Sequence, residues 1–94
     1  MAVLLEMDIE ASPEQYDQVN EVLNPKGNPP DGLIAHSAQD VGGKMHIVDI
    51  WESPEAFGAF AESRLGAAVT QVMGEGGPTA PDPKFTELHN AFSV

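Results

Sequence analysis

The sequence contains no cysteine, few basic residues and no long hydrophobic run. Without cysteine, the chain has neither disulfides nor a thiolate zinc site to stabilise it, and it has no thiol nucleophile. Four Lys and Arg stand against fifteen Asp and Glu, which gives a net charge of −11. Because such a surface repels phosphate backbones and anionic lipids, we expect neither nucleic acid nor a membrane as a partner.

The apolar segment 2–5 is interrupted by Glu6 and Asp8 and has no basic leader, which does not fit a signal peptide. We therefore expect a cytoplasmic protein. No glycine-rich phosphate-binding pattern follows a predicted strand, and no two histidines have the short spacing of metal ligands. We expect no bound cofactor and no metal, and the length of 94 residues predicts one domain, residues 1–94.

The periodic segments predict the order βαββαβ. Residues 2–10, 32–39, 44–52 and 84–94 alternate apolar and polar positions as strands do. Helix starts are marked by Ser-Pro at residues 12–13 and 53–54, and helical spacing continues to residues 24 and 73. The proline- and glycine-rich segments 25–31 and 74–83 are predicted loops. With right-handed crossovers, this order predicts an α+β, ferredoxin-like fold with a four-stranded antiparallel sheet and both helices on one face.

The third predicted strand is apolar on both faces. Met45, Ile47 and Trp51 point to one face, whereas Val48 and Ile50 point to the other. Two helices cover only one face of a sheet, so the second face needs another partner, and the commonest is a second copy of the chain. The alternative is that this strand lies in the middle of a well-covered sheet. We expect a homodimer, which also suits so small a domain.

Three segments carry a resemblance to a known family: GLIAH at 32–36, VDIWESPEAFGAFAESRLGAAV at 48–69 and ELHNAF at 87–92. They resemble small proteins of the dimeric α/β-barrel superfamily, most of all the antibiotic-biosynthesis-monooxygenase-like group. The resemblance implies two ferredoxin-like subunits packed sheet to sheet, each with a ligand pocket between its helices and its sheet. Such proteins include cofactor-independent monooxygenases of polycyclic aromatic compounds, haem-degrading enzymes, isomerases and dehydratases, so the fold alone does not select a reaction.

The resemblance does not extend to haem degradation. The haem-degrading members are similar to one another in a small polar residue on the first strand and a histidine on the second helix. Here the first strand offers Met7 and Asp8, and the predicted second helix contains no histidine.

His36 and Asp49 are the first candidates for chemistry, because each is a polar residue within an apolar strand. A two-residue turn at Gly42-Gly43 would place them directly opposite each other on one sheet face, whereas an odd loop or a bulge would separate them. A histidine beside a carboxylate suits a general acid or base working near neutral pH. The alternative is a structural hydrogen bond between two half-buried polar groups.

Four further residues are candidates for the site. His89, on the last predicted strand, is the second candidate for catalysis, and its neighbour Asn90 points to the opposite face as a candidate for ligand binding. Tyr16, on the inner stripe of the first helix, and Trp51 could stack on a flat aromatic ligand. Trp51 could equally belong to the core or to a dimer interface.

These residues favour three functions. The first is a cofactor-independent, monooxygenase-like enzyme that acts on a flat, partly apolar small molecule. The second is a dimer that binds a small molecule or a partner without catalysis, and the third is an isomerase or cyclase that uses His36 as general acid or base. An open pocket lined by His36 or His89 favours an enzyme, whereas a space filled by side chains favours binding alone.

Overall fold

The computed structural model describes residues 2–74 and 83–90. The elements are β1 (Val3–Ile9), α1 (Pro13–Leu23), β2 (Leu33–Val41), β3 (Lys44–Trp51), α2 (Pro54–Phe60), a π-helical turn (Ala61–Leu65), α3 (Gly66–Met73) and β4 (Lys84–Glu87). The four strands form one antiparallel sheet in the order β2-β3-β1-β4, which confirms the predicted α+β, ferredoxin-like arrangement. Most of the predicted connector, residues 75–82, lies outside the described residues.

The hairpin between β2 and β3 has the predicted two-residue turn. Gly42 and Gly43 have φ angles of 63° and 87°, a left-handed conformation that costs glycine little and matches the twist of the flanking strands. The turn fixes an even register in which His36 lies directly opposite Asp49, as predicted. A register irregularity in β2 lies before His36 and leaves this pairing unchanged.

Helix α1 begins and ends where local side-chain chemistry places its ends. The hydroxyl of Ser12 accepts a hydrogen bond from the backbone N–H of Gln15, and the Gln15 side chain accepts one from the Ser12 backbone N–H. This capping box satisfies two N–H groups that would otherwise have no partner within the helix. The helix ends at Asn24, which has the left-handed conformation common after a last helical turn, and Pro25 cannot continue it.

Helix α2, the π-helical turn and α3 follow one another without a break and together form the second helix, residues 54–73. The sequence predicted this helix but not the π-helical turn within it. The backbone N–H of Gly66 donates to the carbonyl oxygen of Ala61, five residues earlier. A β-carbon on residue 66 would lie 3.2 Å from that oxygen, so glycine suits the widened turn. Within it, the Arg64 guanidinium donates to the carbonyl oxygens of Leu23 and Asn28 at 2.9 and 2.7 Å. Arg64 thereby ties the end of α1 and the following loop to the second helix.

The core lies between the helices and the sheet face that they cover. Its buried cluster consists of Val3, Leu5, Ile47, Trp51 and Phe57. The Trp51 and Phe57 rings meet edge to face with centroids 5.5 Å apart. Burial of each large apolar side chain contributes about 1.5–3 kcal/mol, so this cluster fixes the second helix on the sheet.

On the opposite sheet face, Leu4, Val48 and Ile50 are half-buried. No element among residues 2–74 and 83–90 packs over this face.

The fourth strand is shorter than predicted. It ends at Glu87, which pairs with Val3, the first residue of β1. The ladder stops there because its antiparallel partner begins at that point, and among the described residues one further backbone hydrogen bond follows, from the N–H of Leu88 to the carbonyl oxygen of Ala2. The prediction that His89 and Asn90 belong to this strand is therefore wrong, and residues 91–94 lie outside the described residues.

Candidate functional site

A cavity of about 360 Å³ lies between the helices and the covered face of the sheet. Its walls are mostly apolar, with contributions from β1, α1, β3 and the second helix. The volume falls within the range of small-molecule sites. The polar and hydrogen-bonding residues among its walls are Tyr16, Asn20, His36, Asp49, Trp51 and Thr70.

Four of these side chains form one hydrogen-bonded chain. The Tyr16 hydroxyl lies 2.5 Å from Nε2 of His36, and Nδ1 of His36 lies 2.6 Å from Oδ1 of Asp49. The indole Nε1 of Trp51 donates to Oδ2 of Asp49 at 3.0 Å. Each hydrogen bond has a separate structural cause. Helix α1 places Tyr16 next to His36, and the register of the hairpin pairs His36 with Asp49. Asp49 and Trp51 meet because they are two residues apart on one face of β3.

The chemistry of the four groups fixes the direction of this chain. A carboxylate only accepts hydrogen bonds, so Asp49 takes one from the indole N–H of Trp51 and one from Nδ1 of His36. Neutral His36 then carries its proton on Nδ1, and its Nε2 accepts the hydroxyl proton of Tyr16. The arrangement leaves the basic nitrogen of His36 facing a phenol and its other nitrogen facing a carboxylate.

The side chains of this hydrogen-bonded network are buried to different extents. The Asp49 side chain is 6% exposed, whereas that of His36 is 31% exposed. Burial raises the pKa of the Tyr16 hydroxyl above its ordinary value, and the negative charges of Asp49 and Asp17 raise it further. Tyr16 therefore holds its proton at neutral pH and contributes a neutral phenol to the cavity wall.

The cavity brings together His36, Asp49, Tyr16 and Trp51, but not His89 and Asn90. Both of the latter are exposed after the end of β4, and neither contributes to the cavity. Trp51 is both core and cavity wall. The catalytic roles of His36, Asp49 and His89 stay predictions.

Sequence reasoning missed two features of the site. It did not connect Trp51 with Asp49, although two residues at i and i+2 of a strand share a face and could have been paired on that ground. It also did not single out Thr70, which contributes to the cavity wall from α3. Thr70 follows Val69 within an apolar stripe, so its sequence context resembles that of a core position.

Two further features of the described residues bear on the type of site. Among residues 2–74 and 83–90, no three His, Cys, Asp or Glu side chains come together in a way that could hold a metal ion. Within the same ranges, no helix combines the length and the apolar character needed to cross a bilayer.

Comparison with solved structures shows which known fold this architecture has. A candidate antibiotic biosynthesis monooxygenase from Chloroflexus aurantiacus J-10-fl superimposes with a TM-score of 0.67 and 17% identity, over 100% of this chain and 99% of that one. A similarly named protein from Caulobacter crescentus CB15 gives a TM-score of 0.64 and 14% identity, over 95% and 91% of the two chains. This chain has the antibiotic-biosynthesis-monooxygenase-like fold.

The same monooxygenase-like fold is found in a protein that was solved with a bound porphyrin. A variant of MhuD, solved with two manganese protoporphyrin IX molecules bound per active site, gives a TM-score of 0.59 and 17% identity over the full length of both chains. No protein-family model matches the sequence, and no curated protein matches it. At these identities the structural likeness establishes the fold and leaves the reaction to the residues of the cavity.

Proposed function

We propose that this protein is a cofactor-independent, monooxygenase-like enzyme that removes a proton from a flat, partly apolar small molecule held in the cavity. The observation that carries the proposal is the hydrogen-bonded chain of Tyr16, His36 and Asp49 in the wall of a mostly apolar cavity. A base oriented by a carboxylate is the usual arrangement for proton transfer near neutral pH. The apolar walls suit the flat body of an aromatic compound and keep water away from its anion.

In the proposed reaction His36 is the final proton acceptor when the substrate is deprotonated. Asp49 orients the imidazole and stabilises the imidazolium that forms. Removal of a proton from a phenol gives an electron-rich anion that can react directly with dioxygen. One oxygen atom of dioxygen forms a bond to a ring carbon. The other leaves as water with the two hydrogens that the substrate loses, one from its hydroxyl group and one from that ring carbon, and the phenol becomes a quinone. Dioxygen is the oxidant, and the protein supplies the base, the orientation and the dry cavity.

Haem does not fit the cavity residues. Its propionate groups are usually paired with cations, and the cavity walls formed by the described residues include no Lys or Arg. Both ring nitrogens of His36 are already hydrogen-bonded, to Tyr16 and to Asp49. We therefore assign no step to haem.

Two other functions use the same residues. An isomerase or cyclase would use His36 as general acid or base without consuming dioxygen, and a binding protein would use the cavity without turnover. The contact of His36 with a cavity of ligand size supports an enzyme over a protein that only binds.

A ligand screen followed by an oxygen electrode tests the proposal. Flat phenols and quinones are first screened by thermal shift, where a ligand at 100 times its dissociation constant stabilises the fold by about 2.7 kcal/mol. Phenols that stabilise the protein are then incubated with it under air, and we expect one dioxygen to be consumed for each quinone formed. Conversion of the same phenols without oxygen uptake would favour the isomerase or cyclase, and binding without any conversion would favour the binding protein.

We also propose that the active unit is a homodimer of the domain formed by residues 1–94, in the cytoplasm, with the sheet face that carries Leu4, Val48 and Ile50 as its interface. These side chains stay half-buried in a single chain, although two central strands carry them. Burial against a second copy would give this face the second layer that the chain's own helices do not supply.

Sedimentation at micromolar concentration is expected to show a dimer. Raising the salt concentration should strengthen it, because salt screens the repulsion between two subunits of net charge −11. A monomer at micromolar concentration in moderate salt would contradict the proposal.

A further inference from the structure

We propose that Tyr16, rather than His36, is the group that contacts the substrate, and that it selects an uncharged aromatic ligand bearing a free hydroxyl group. This inference rests on the site of the proposed function and names its substrate class. His36 then acts one step behind Tyr16, as the acceptor at the end of a two-step proton transfer.

The direction of the hydrogen bonds carries the selection. With neutral His36, the single hydroxyl proton of Tyr16 is donated to Nε2 of His36. The Tyr16 oxygen therefore has only its lone pairs to offer to the cavity. A ligand hydroxyl can donate to that oxygen, whereas a carbonyl or an ether oxygen cannot, so the resting site prefers a hydrogen-bond donor.

The same geometry gives a balanced proton transfer. The ligand hydroxyl gives its proton to the Tyr16 oxygen while the original Tyr16 proton moves to Nε2 of His36. The products are a ligand oxyanion, a neutral Tyr16 and an imidazolium paired with Asp49. Tyr16 now donates to the oxyanion, because protonated Nε2 donates to the Tyr16 oxygen. One hydroxyl group thus accepts a hydrogen bond before the transfer and stabilises the anion after it.

Two observations fix Tyr16 in this role. Its ring and that of His36 are inclined by only 13° with centroids 6.2 Å apart, a separation that the hydroxyl–Nε2 hydrogen bond sets by joining the two rings end to end. Its hydroxyl is also the only side-chain group recorded against Nε2 among the described residues. A ligand in the cavity would therefore reach His36 through Tyr16.

The charges in the wall define the rest of the ligand. Asp49 is the one carboxylate among the described cavity residues, and no Lys or Arg joins it. A ligand that arrives as an anion would face this carboxylate without a compensating cation. The ligand must therefore enter in its neutral form, with the proton that Tyr16 accepts.

A pair of ligands that differ by one methyl group tests the inference on the unaltered protein. We expect 2-naphthol to bind about 10-fold more tightly than its methyl ether, as one hydrogen bond within a cavity would give. Calorimetry measures both affinities. Equal binding of the two ligands would overturn the inference without requiring any variant to fold.

Tyr16→Phe is the matched variant, since it removes the hydroxyl and keeps the ring. It should bind the two ligands equally, and kcat on any phenol that the protein oxidises should fall by about 10²-fold. His46→Gln, on the opposite sheet face, is the control; with sedimentation showing the same assembly as the unaltered protein, it should keep both the preference and the rate. Circular dichroism confirms that each variant is folded.

The results separate this inference from the proposed function. If Tyr16→Phe oxidises phenols at the original rate or keeps the preference for naphthol, the inference is wrong while the enzyme stands. If the unaltered protein prefers naphthol but oxidises no phenol in the screen, the role of Tyr16 in selecting a hydroxyl stands and the proposed oxygenation fails.

Discussion

The two faces of the sheet carry the same pair of side chains in different surroundings. On the cavity face His36 lies 2.6 Å from Asp49, and on the opposite face His46 lies 2.7 Å from Asp8. The two histidines are also similarly exposed, at 31% and 33%. The aspartates differ, because Asp49 is 6% exposed whereas Asp8 is 69% exposed. Distance alone therefore does not identify a functional pair.

The difference lies in what holds each carboxylate. Asp49 has a second donor in Trp51, and its histidine leads on to Tyr16 and the cavity. In the single chain Asp8 is exposed, and a pair in such surroundings contributes about 0–1 kcal/mol and leaves either side chain able to turn away. We expect chemistry from the first pair alone, and substitutions at matching positions of the two pairs test this expectation.

The largest difference in turnover is expected between the variants His36→Gln and His46→Gln. Glutamine keeps hydrogen-bonding capacity and a similar volume but cannot transfer a proton. In His36→Gln, turnover of a phenol found in the screen should fall by about 10²-fold or more, with little change in stability. In His46→Gln, turnover should stay within about 2-fold, as in substitutions outside the reaction path.

Steady-state kinetics measures both variants, and sedimentation accompanies them because His46 lies on the proposed dimer face. If His36→Gln unfolds the protein, or leaves the rate per folded molecule unchanged, His36 is structural.

A smaller contrast is expected between Asp49→Asn and Asp8→Asn. An amide cannot accept from both Trp51 and His36 without changing the histidine tautomer, so Asp49→Asn leaves a buried donor poorly matched. We expect a loss of about 1–3 kcal/mol in the free energy of unfolding, and a fall in turnover smaller than that of His36→Gln.

For Asp8→Asn the loss should stay below about 0.5 kcal/mol, as is usual for exposed positions. Urea denaturation gives the two values. Equal losses would show that burial of the carboxylate does not distinguish the pairs.

The smallest effect concerns the ionisation of Tyr16, the chain's single tyrosine. Because burial, Asp49 and Asp17 raise its pKa, tyrosinate absorbance should appear only above the usual value of about 10. Between the ordinary pKa of tyrosine, which applies to the unfolded chain, and the raised pKa of the folded chain, only the folded chain still holds this proton. The free energy of unfolding therefore falls as pH rises through this window. An ultraviolet titration of the folded protein measures the pKa, with Asp49→Asn expected to lower it. Ionisation at or below the usual value would contradict the buried position of Tyr16.

What the sequence predicted well depends on local chemistry. Two glycines specify a hairpin turn by their backbone freedom alone, and the turn sets which residues of β2 and β3 face each other. The pairing of His36 with Asp49 could therefore be predicted before any tertiary contact was known. The start of α1 followed in the same way from Ser12 and Gln15, three residues apart.

What the sequence did not predict depends on contacts between distant segments. Tyr16 meets His36 only because α1 packs across the sheet, and no local pattern gives that distance. The end of β4 is set by where β1 begins, whereas apolar and polar residues continue to alternate beyond Glu87. His89 and Asn90 were misplaced for this reason. The π-helical turn also leaves the apolar stripe of the second helix unbroken, so its spacing gave no sign of it.

The two-glycine turn has a consequence for relatives of this protein. Successive residues of a strand point to opposite faces, so one residue inserted into the hairpin loop would, unless a bulge absorbed it, move His36 out of the cavity and bring Ala35 or Ser37 opposite Asp49. A change in loop length alone could thus remove the proposed proton acceptor from the cavity, with no change in any residue of the site. In a comparison of related sequences, the parity of the loop between β2 and β3 would then distinguish members with this site from those without it.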